Sequence, residues 1–227
     1  MILAPLVGGL ALFIRPIEDT HRRNTFVMIL CSLVSLGALA LLLMRLKSGE
    51  PQVYMLAEIF GEDFSLALHV DGLSAVFVAI VAVLWPITDL YAFEYMQHDH
   101  AQNRFFAFFT MTYGVVIGIA TAANLFTMYL FYEMLTLCTL PLVMHEMDGV
   151  AKSAGLKYLI YSMSGAALAF VSMMILSGYG GLAFRAGGSL DRGLAAGHEV
   201  LLYVGFLLGF FGFGVKAAVF PFHAWLP

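Results

Sequence analysis

Charge is scarce in this chain. Asp, Glu, Lys and Arg make up 11% of its 227 residues, where a soluble domain carries about 25%, so an ordinary soluble globular domain is excluded. The net charge is only −4 and no basic patch with interleaved aromatics occurs, so nothing supports nucleic-acid binding. Cysteine is scarcer still. Cys31 and Cys138 both lie inside apolar stretches, no Cys-x-x-Cys occurs, and the pair reads as small core residues, neither disulfide nor metal site. The seven histidines lack His-Glu-x-x-His or similar ligand spacing. Gly178-Tyr179-Gly180-Gly181 lacks the Lys-Ser/Thr that would make it a phosphate loop. No nucleophile–base constellation points to an independent active site, and no quinone site, metal site or cofactor site is read within the chain.

Apolar length is what the chain has. Hydrophobic residues are 61% of it, and a bilayer-spanning helix needs about 20 in a row. The pattern predicts an all-α membrane protein of seven helices, over about residues 2–15, 25–44, 71–93, 104–122, 125–145, 154–177 and 200–219. Residues 1–14 read as a short first span. A secretory signal would have a basic start and a small-residue cleavage site, where this chain has Arg15-Pro16. The chain divides into 1–70, two spans and a surface loop, and 71–227, the third to seventh spans. The polar segment Arg45 to Val70, with Glu58, Glu62, Asp63 and His69, is expected to fold back at the membrane surface. Ala122-Ala123-Asn124 leaves room only for a tight turn, so the fourth and fifth helices should form an antiparallel hairpin. Arg15, Arg22, Arg23, Arg104 and Lys152 fall on one side. Arg45, Lys47, Arg185 and Arg192 fall on the other, in longer loops that weigh less, which favours the first loop in the cytoplasm.

Ionisable groups inside spans are costly, by about 2.5–3.5 kcal/mol on insertion scales. Glu133, near the centre of the fifth helix, and Lys216, late in the seventh, are the two that stand out. A carboxylate beside an ammonium stays charged, and moving or neutralising one partner changes the protonation of the other. That is the element a proton pump needs. The competing reading is a static buried ion pair that fixes helix packing. Pro221 cannot donate to the Ala217 carbonyl, and broken helices at membrane depth often line hydrated paths or ion sites. Pro221 also suits a plain helix end.

Lys157 opens the sixth helix as either a snorkelling interfacial anchor or a relay group. His223 is a relay candidate by its titration range, or an interfacial His beside Trp225. Asp71 suits the N-cap of the third helix. Asp89 reads as solvated from the nearby loop, and His145 and Glu146 as marking where the fifth helix surfaces. The Gly205–Gly209 spacing is a small-residue face for close helix approach.

From Asp71 onward the chain resembles the antiporter-like subunits of respiratory complex I, Mrp-type cation/proton antiporters and membrane-bound hydrogenases. The resemblance rests on Asp71-Gly72-Leu73-Ser74, on Tyr91-Ala92-Phe93-Glu94-Tyr95-Met96 and on Asn124-Leu125-Phe126 followed by Glu133. Its most specific part is the closing run Lys216-Ala217-Ala218-Val219-Phe220-Pro221-Phe222-His223-Ala224-Trp225-Leu226-Pro227. Leu135 to Val143 and Ala154 to Tyr158 look closer to the Mrp and hydrogenase branches. The resemblance implies the first of two inverted repeats, with Glu133 as the family's fifth-span glutamate and Lys216 as its proton-carrying lysine in a broken seventh helix. It implies proton translocation within a redox-driven complex of the NADH:quinone oxidoreductase or hydrogenase type. A sodium/proton antiporter without redox chemistry is the alternative, and a non-conducting scaffold the third reading. Partners are then other membrane subunits and lipid, with any iron–sulfur clusters or flavin in other subunits. The expected location is a prokaryotic plasma membrane. Two departures stand. Tyr132 replaces the tryptophan often found before the glutamate, and the sequence stops inside the strongest motif, before the second repeat. A fragment, or a partner chain supplying the remainder, is expected.

Overall fold

A computed structural model describes residues 1–48, 53–59, 61, 64–185 and 187–226, without the side chains of 46–48. Glu62, Asp63 and Pro227, singled out above, lie outside the described residues, as does the side chain of Lys47. The elements in order are α1 (Leu3–Ile14), α2 (Thr20–Ser48), β1 (Val53–Glu58), β2 (Ser65–His69), α3 (Gly72–Tyr95), α4 (Gln102–Ala120), α5 (Leu125–Val143), α6 (Gly149–Ser177), the four-residue α7 (Arg192–Ala195), α8 (Glu199–Gly214) and a 3-10 turn at Phe222–Trp225. The apolar runs α2 to α6 (α2 through Arg45) are long and apolar enough to cross a membrane; α1 and α8 are apolar but shorter. A helix stands at each of the seven expected places, and five of these, not seven, are long and apolar enough to span unaided.

Polar caps set the boundaries that hydrophobicity alone misplaced. α6 begins at Gly149, five residues before the apolar signal, because the Asp148 side chain accepts the Ala151 N–H at 2.6 Å. α2 begins at Thr20, where Asp19 accepts the Arg22 N–H at 2.8 Å. Arg23, expected in the first loop, is consequently helical and 3% exposed. Its guanidinium donates to Gln102 at 2.6 Å and Asn24 at 2.9 Å and lies over the Phe106 ring. Asp71 caps the start of α3 as anticipated, with the Ser74 N–H donating to its carboxyl at 2.7 Å. That bond holds the Asp71 carboxyl below the usual carboxylate range. The cap's contribution is thus present above the unfolded carboxylate's pKa and lost as pH falls through the folded one.

The segment 45–70 holds a feature the helical pattern did not suggest. β1 and β2 pair antiparallel from Val53↔His69 to Glu58↔Ser65, with an irregularity between Met55 and Ala57. This hairpin clips the α4–α5 turn. His69 N–H donates to Thr121 O, Ala123 N–H to Ala67 O, and the Thr127 hydroxyl to Ser65 O. Asn124 caps α5 by accepting the Thr127 N–H at 2.7 Å, while its amide donates to Ser65 O at 2.9 Å. Replacing Asn124 with Ala is therefore expected to cost about 1–3 kcal/mol, one cap plus buried partners left unsatisfied. A lowered thermal midpoint of the solubilised protein checks it.

Contacts sort the loops into two ends. Asn103 bonds to the backbone of Ile17, and Arg104 donates to His145 O. Residues 15–23, 96–104 and 144–152 thus share one end, as the sequence grouped their cations. At the other end Leu125 N–H donates to Leu182 O and Phe184 N–H to Ala123 O, joining 65–71, 121–125 and 182–184. Asp89 departs from expectation. It lies on the inward stripe of α3 with Val78, Ala82 and Ala92, and has no exposed surface. Its loop proximity is irrelevant, because its helical phase turns it toward α2 and α4.

Candidate functional site

α5, α6 and the end of α8 bring Glu133 and Lys216 into one neighbourhood. α6 and α8 can approach closely because glycine faces backbone. A Cβ on Gly212 would meet Ala169 N at 2.5 Å and Gly165 O at 2.8 Å, and one on Gly209 would meet Ser172 Oγ at 2.6 Å. Ser172 Oγ donates to Gly205 O at 2.7 Å along the same contact. The small-residue face anticipated at Gly205 and Gly209 is thus a packing face, extended to Gly212.

α8 ends earlier than the sequence suggested. It stops at Gly214, two residues before Lys216, and turns fill 215–218, with Ala218 at φ 51°. The break therefore precedes Pro221 and contains Lys216 itself. Pro221 follows, leading into the 3-10 turn. The last turn of any helix leaves carbonyls without intrahelical donors. Here the Tyr132 hydroxyl donates to Gly212 O at 3.0 Å, and the Trp225 indole donates to Val215 O at 2.8 Å.

α5 answers this break with polar groups. The Lys216 ammonium donates to Tyr132 O at 2.8 Å and to Thr136 Oγ1, and it sits 4.3 Å from the centroid of the Tyr132 ring. One residue, Tyr132, therefore clamps both Lys216 and the carbonyl four residues before it. The charges of Glu133 and Lys216 are near enough to interact. Among the described residues, however, no Lys–carboxylate contact falls within 4.0 Å. Glu133 is half-buried, and its Oε1 is enclosed without a hydrogen-bond partner. The expected pair is thus adjacent but unpaired. Lys216 is solvated by hydroxyl, carbonyl and ring, and Glu133 has unused acceptor capacity.

Polar groups continue toward the 144–152 end. Thr139 Oγ1 shares a 2.6 Å hydrogen bond with Tyr158 Oη, and Tyr158 packs edge-on against Trp225. Thr136 and Thr139 are one turn apart on α5, so Lys216, Thr136, Thr139 and Tyr158 are successive polar groups on one side of α5. Neither the threonines nor Tyr132 and Tyr158 were singled out as site residues. The threonines' signal was hydroxyls at helical spacing inside the apolar run Leu135 to Val143. Lys157 is exposed and His223 is exposed with its ring stacked on Phe220, so the structure does not bring either to the Glu133–Lys216 neighbourhood. Among the described residues no group of three or more His, Cys, Asp or Glu is placed to hold a metal ion.

Residues 122–227 match the family model described as NADH:quinone oxidoreductase/Mrp antiporter, TM, and residues 58–106 match that described as NADH-Ubiquinone oxidoreductase (complex I), chain 5 N-terminus. The chain is 28% identical over 236 residues to NAD(P)H-quinone oxidoreductase subunit 5, chloroplastic, of Adenocaulon himalaicum, covering 98% of this chain and 31% of that protein. It is 30% identical over 189 residues to Hydrogenase-4 component B of Escherichia coli (strain K12), covering 81% of this chain and 27% of that protein. The fold superposes with a TM-score of 0.80 on a chain of the membrane-bound sulfane sulfur reductase, an archaeal respiratory membrane complex, at 20% identity, covering 99% of this chain and 45% of that one. The chain spans about a third of the length of the curated relatives it matches.

Proposed function

Since the chain belongs to the antiporter-like subunit family of NADH:quinone oxidoreductases and Mrp antiporters, we propose that it moves protons within a redox-driven membrane complex, by switching the charges of Glu133 and Lys216. The observation that carries the reading is the placement of Lys216 in the break of α8, bonded to Tyr132 O and Thr136 Oγ1 beside an unpaired Glu133. A static pair would close its contact. An open one responds to its neighbours, because a unit charge a few ångströms away is worth about 4 kcal/mol at an effective dielectric near 20. When Glu133 is charged, the ammonium of Lys216 is favoured. When Glu133 is neutralised, Lys216 can yield a proton to Thr136 and onward toward Thr139 and Tyr158. Pro221 and the turns before it keep the segment out of helical register, so that Lys216 can change partners. Lys157 and His223 serve as outer relay groups in this scheme, reached through groups beyond this chain.

The segment 71–227 is the repeat that carries the transfer, and 1–70 packs beside it. Other membrane subunits complete the path, and partner subunits hold the iron–sulfur clusters or flavin that drive it, in a prokaryotic plasma membrane. The Hydrogenase-4 relative supports the redox reading. The Mrp wording of the matched family keeps sodium/proton antiport as the second.

The test is proton uptake by membrane vesicles that contain the native complex, comparing wild type with Glu133→Gln at matched subunit levels. Uptake is expected to fall severely while assembly holds. Uptake equal to wild type in an assembled complex would sink the charge-switch reading and leave a scaffold. Uptake that requires sodium and no redox substrate would select antiport.

A further inference from the structure

A further ionisable group lies inside the bundle, on helices that the Glu133–Lys216 neighbourhood does not use. Three pairs of side chains, each spaced for one helix face, meet where α2, α3 and α4 pack: Cys31 and Ser35, Trp85 and Asp89, Thr110 and Tyr113. Asp89 is 0% exposed. No hydrogen bond of ordinary geometry reaches either of its carboxyl oxygens, while the Cys31 thiol, a weak donor, and the Tyr113 hydroxyl lie near enough to interact. Trp85 Nε1 and Thr110 Oγ1 are likewise enclosed without partners. Ser35 Oγ and Tyr113 Oη share a 2.7 Å hydrogen bond in which either atom can donate. The Trp85 ring stacks on Tyr113 at 4.9 Å.

An enclosed, ionised carboxyl without a partner costs more than a fold can hold, so this junction must supply something that balances it. The facing groups limit what that is. From α2 the titratable neighbour is Cys31. Arg23, two turns nearer the start of that stripe, is engaged by Asn24, Gln102 and Phe106. From α4 it is Tyr113. α1, packed on α4, has no ionisable side chain. No cation therefore faces Asp89 among the described residues. The indole N–H is donor-only, which leaves few oxygens for a hard metal ion that wants six or more. A proton needs only one.

We propose that Asp89 is a second proton-binding site of this chain, gaining and losing a proton inside the α2–α3–α4 junction with the hydroxyls of Thr110, Ser35 and Tyr113 as exchange partners. One proton moves per event. Asp89 gives it, across a water molecule, to a lone pair of Thr110 Oγ1 as Thr110 hands its own proton, across a second water molecule, to Tyr113 Oη. Tyr113 passes its proton to Ser35 Oγ through their hydrogen bond, and Ser35 releases one to water outside the junction, so that each hydroxyl ends neutral. The carboxylate left behind is reprotonated by the reverse path.

The test is infrared difference spectroscopy of the full complex in membranes, wild type against Asp89→Asn. The expected result is a carboxylic C=O band that Asp89→Asn lacks, that shifts in D2O, and that loses intensity as pH rises. Proton uptake by Asp89→Asn vesicles should fall severely, and Asp89→Glu should retain it. A band that ignores pH and D2O overturns the proposal and makes Asp89 a fixed neutral packing group, as does wild-type uptake in Asp89→Asn. If Asp89→Asn fails to assemble, Asp89→Glu carries the test: its displaced band must titrate, and a pH-invariant one overturns the proposal. The band is read without transport, so its failure leaves the Glu133–Lys216 reading intact.

Discussion

Replacing Lys216 with methionine is expected to stop proton uptake by vesicles containing the native complex while leaving its subunits assembled. Methionine keeps most of the side chain's length, so packing of the α8 break is largely preserved, although the ammonium's place over the Tyr132 ring is given up. What is lost is the ammonium and its bonds to Tyr132 O and Thr136 Oγ1, about 1–3 kcal/mol of local stability. That loss is small for a bundle whose α6–α8 contact rests on glycine and serine packing. Lys216→Arg separates the two readings of the site. A guanidinium keeps the charge and can reach the same acceptors, but it does not deprotonate in proteins. A static ion pair would be restored by arginine, with uptake near wild type. A charge switch would not, and assembled but inactive Lys216→Arg vesicles are the expected outcome. Dye-quench measurement of uptake, normalised to subunit content, reads both variants.

The apolar runs made all seven helices legible, because hydrophobic length is a strong signal when lipid is the solvent. Where boundaries moved, a polar residue did the moving. Asp148 and Asp19 start α6 and α2 within polar runs that hydropathy treats as loop. The β1–β2 hairpin was invisible for the opposite reason: its strands are held by the α4–α5 turn, through Thr121, Ala123 and Thr127, so tertiary bonds decide what local sequence does not. Glu133 and Lys216 were legible as charges inside spans because such charge is rare and expensive. Tyr132, Thr136, Thr139 and Tyr158 were not, because hydroxyls in apolar helices are common and only their partners show their use. Asp89 was misjudged by distance from the loop, when the phase of α3, set by Val78, Ala82 and Ala92, already turned it inward. The end of α8 was misplaced because Pro221 drew attention past Gly214, where the helix stops two residues short of Lys216.

Gly212→Val is expected to be among the most damaging single changes outside the ionisable groups. The added Cβ would lie 2.5 Å from Ala169 N, 2.8 Å from Gly165 O and 2.9 Å from Ala169 Cα. All three are backbone atoms of α6 and cannot rotate aside, so α8 must move away. Overpacking of this kind costs about 1–3 kcal/mol or more. The damage also reaches the site. Gly212 O accepts the Tyr132 hydroxyl at 3.0 Å, and Lys216 follows one turn later, so displacing the end of α8 pulls the ammonium from Tyr132 O and Thr136. A lowered thermal midpoint and lost uptake should therefore appear together. Gly37→Ala supplies the contrast: a Cβ there meets nothing within 4 Å, and Ala is the better helix former by about 1 kcal/mol, so its midpoint should match wild type or exceed it. If Gly212→Val unfolded at the temperature of Gly37→Ala, the close backbone contact between α6 and α8 would be wrong, and with it the argument that glycine at 212 sets the position of Lys216.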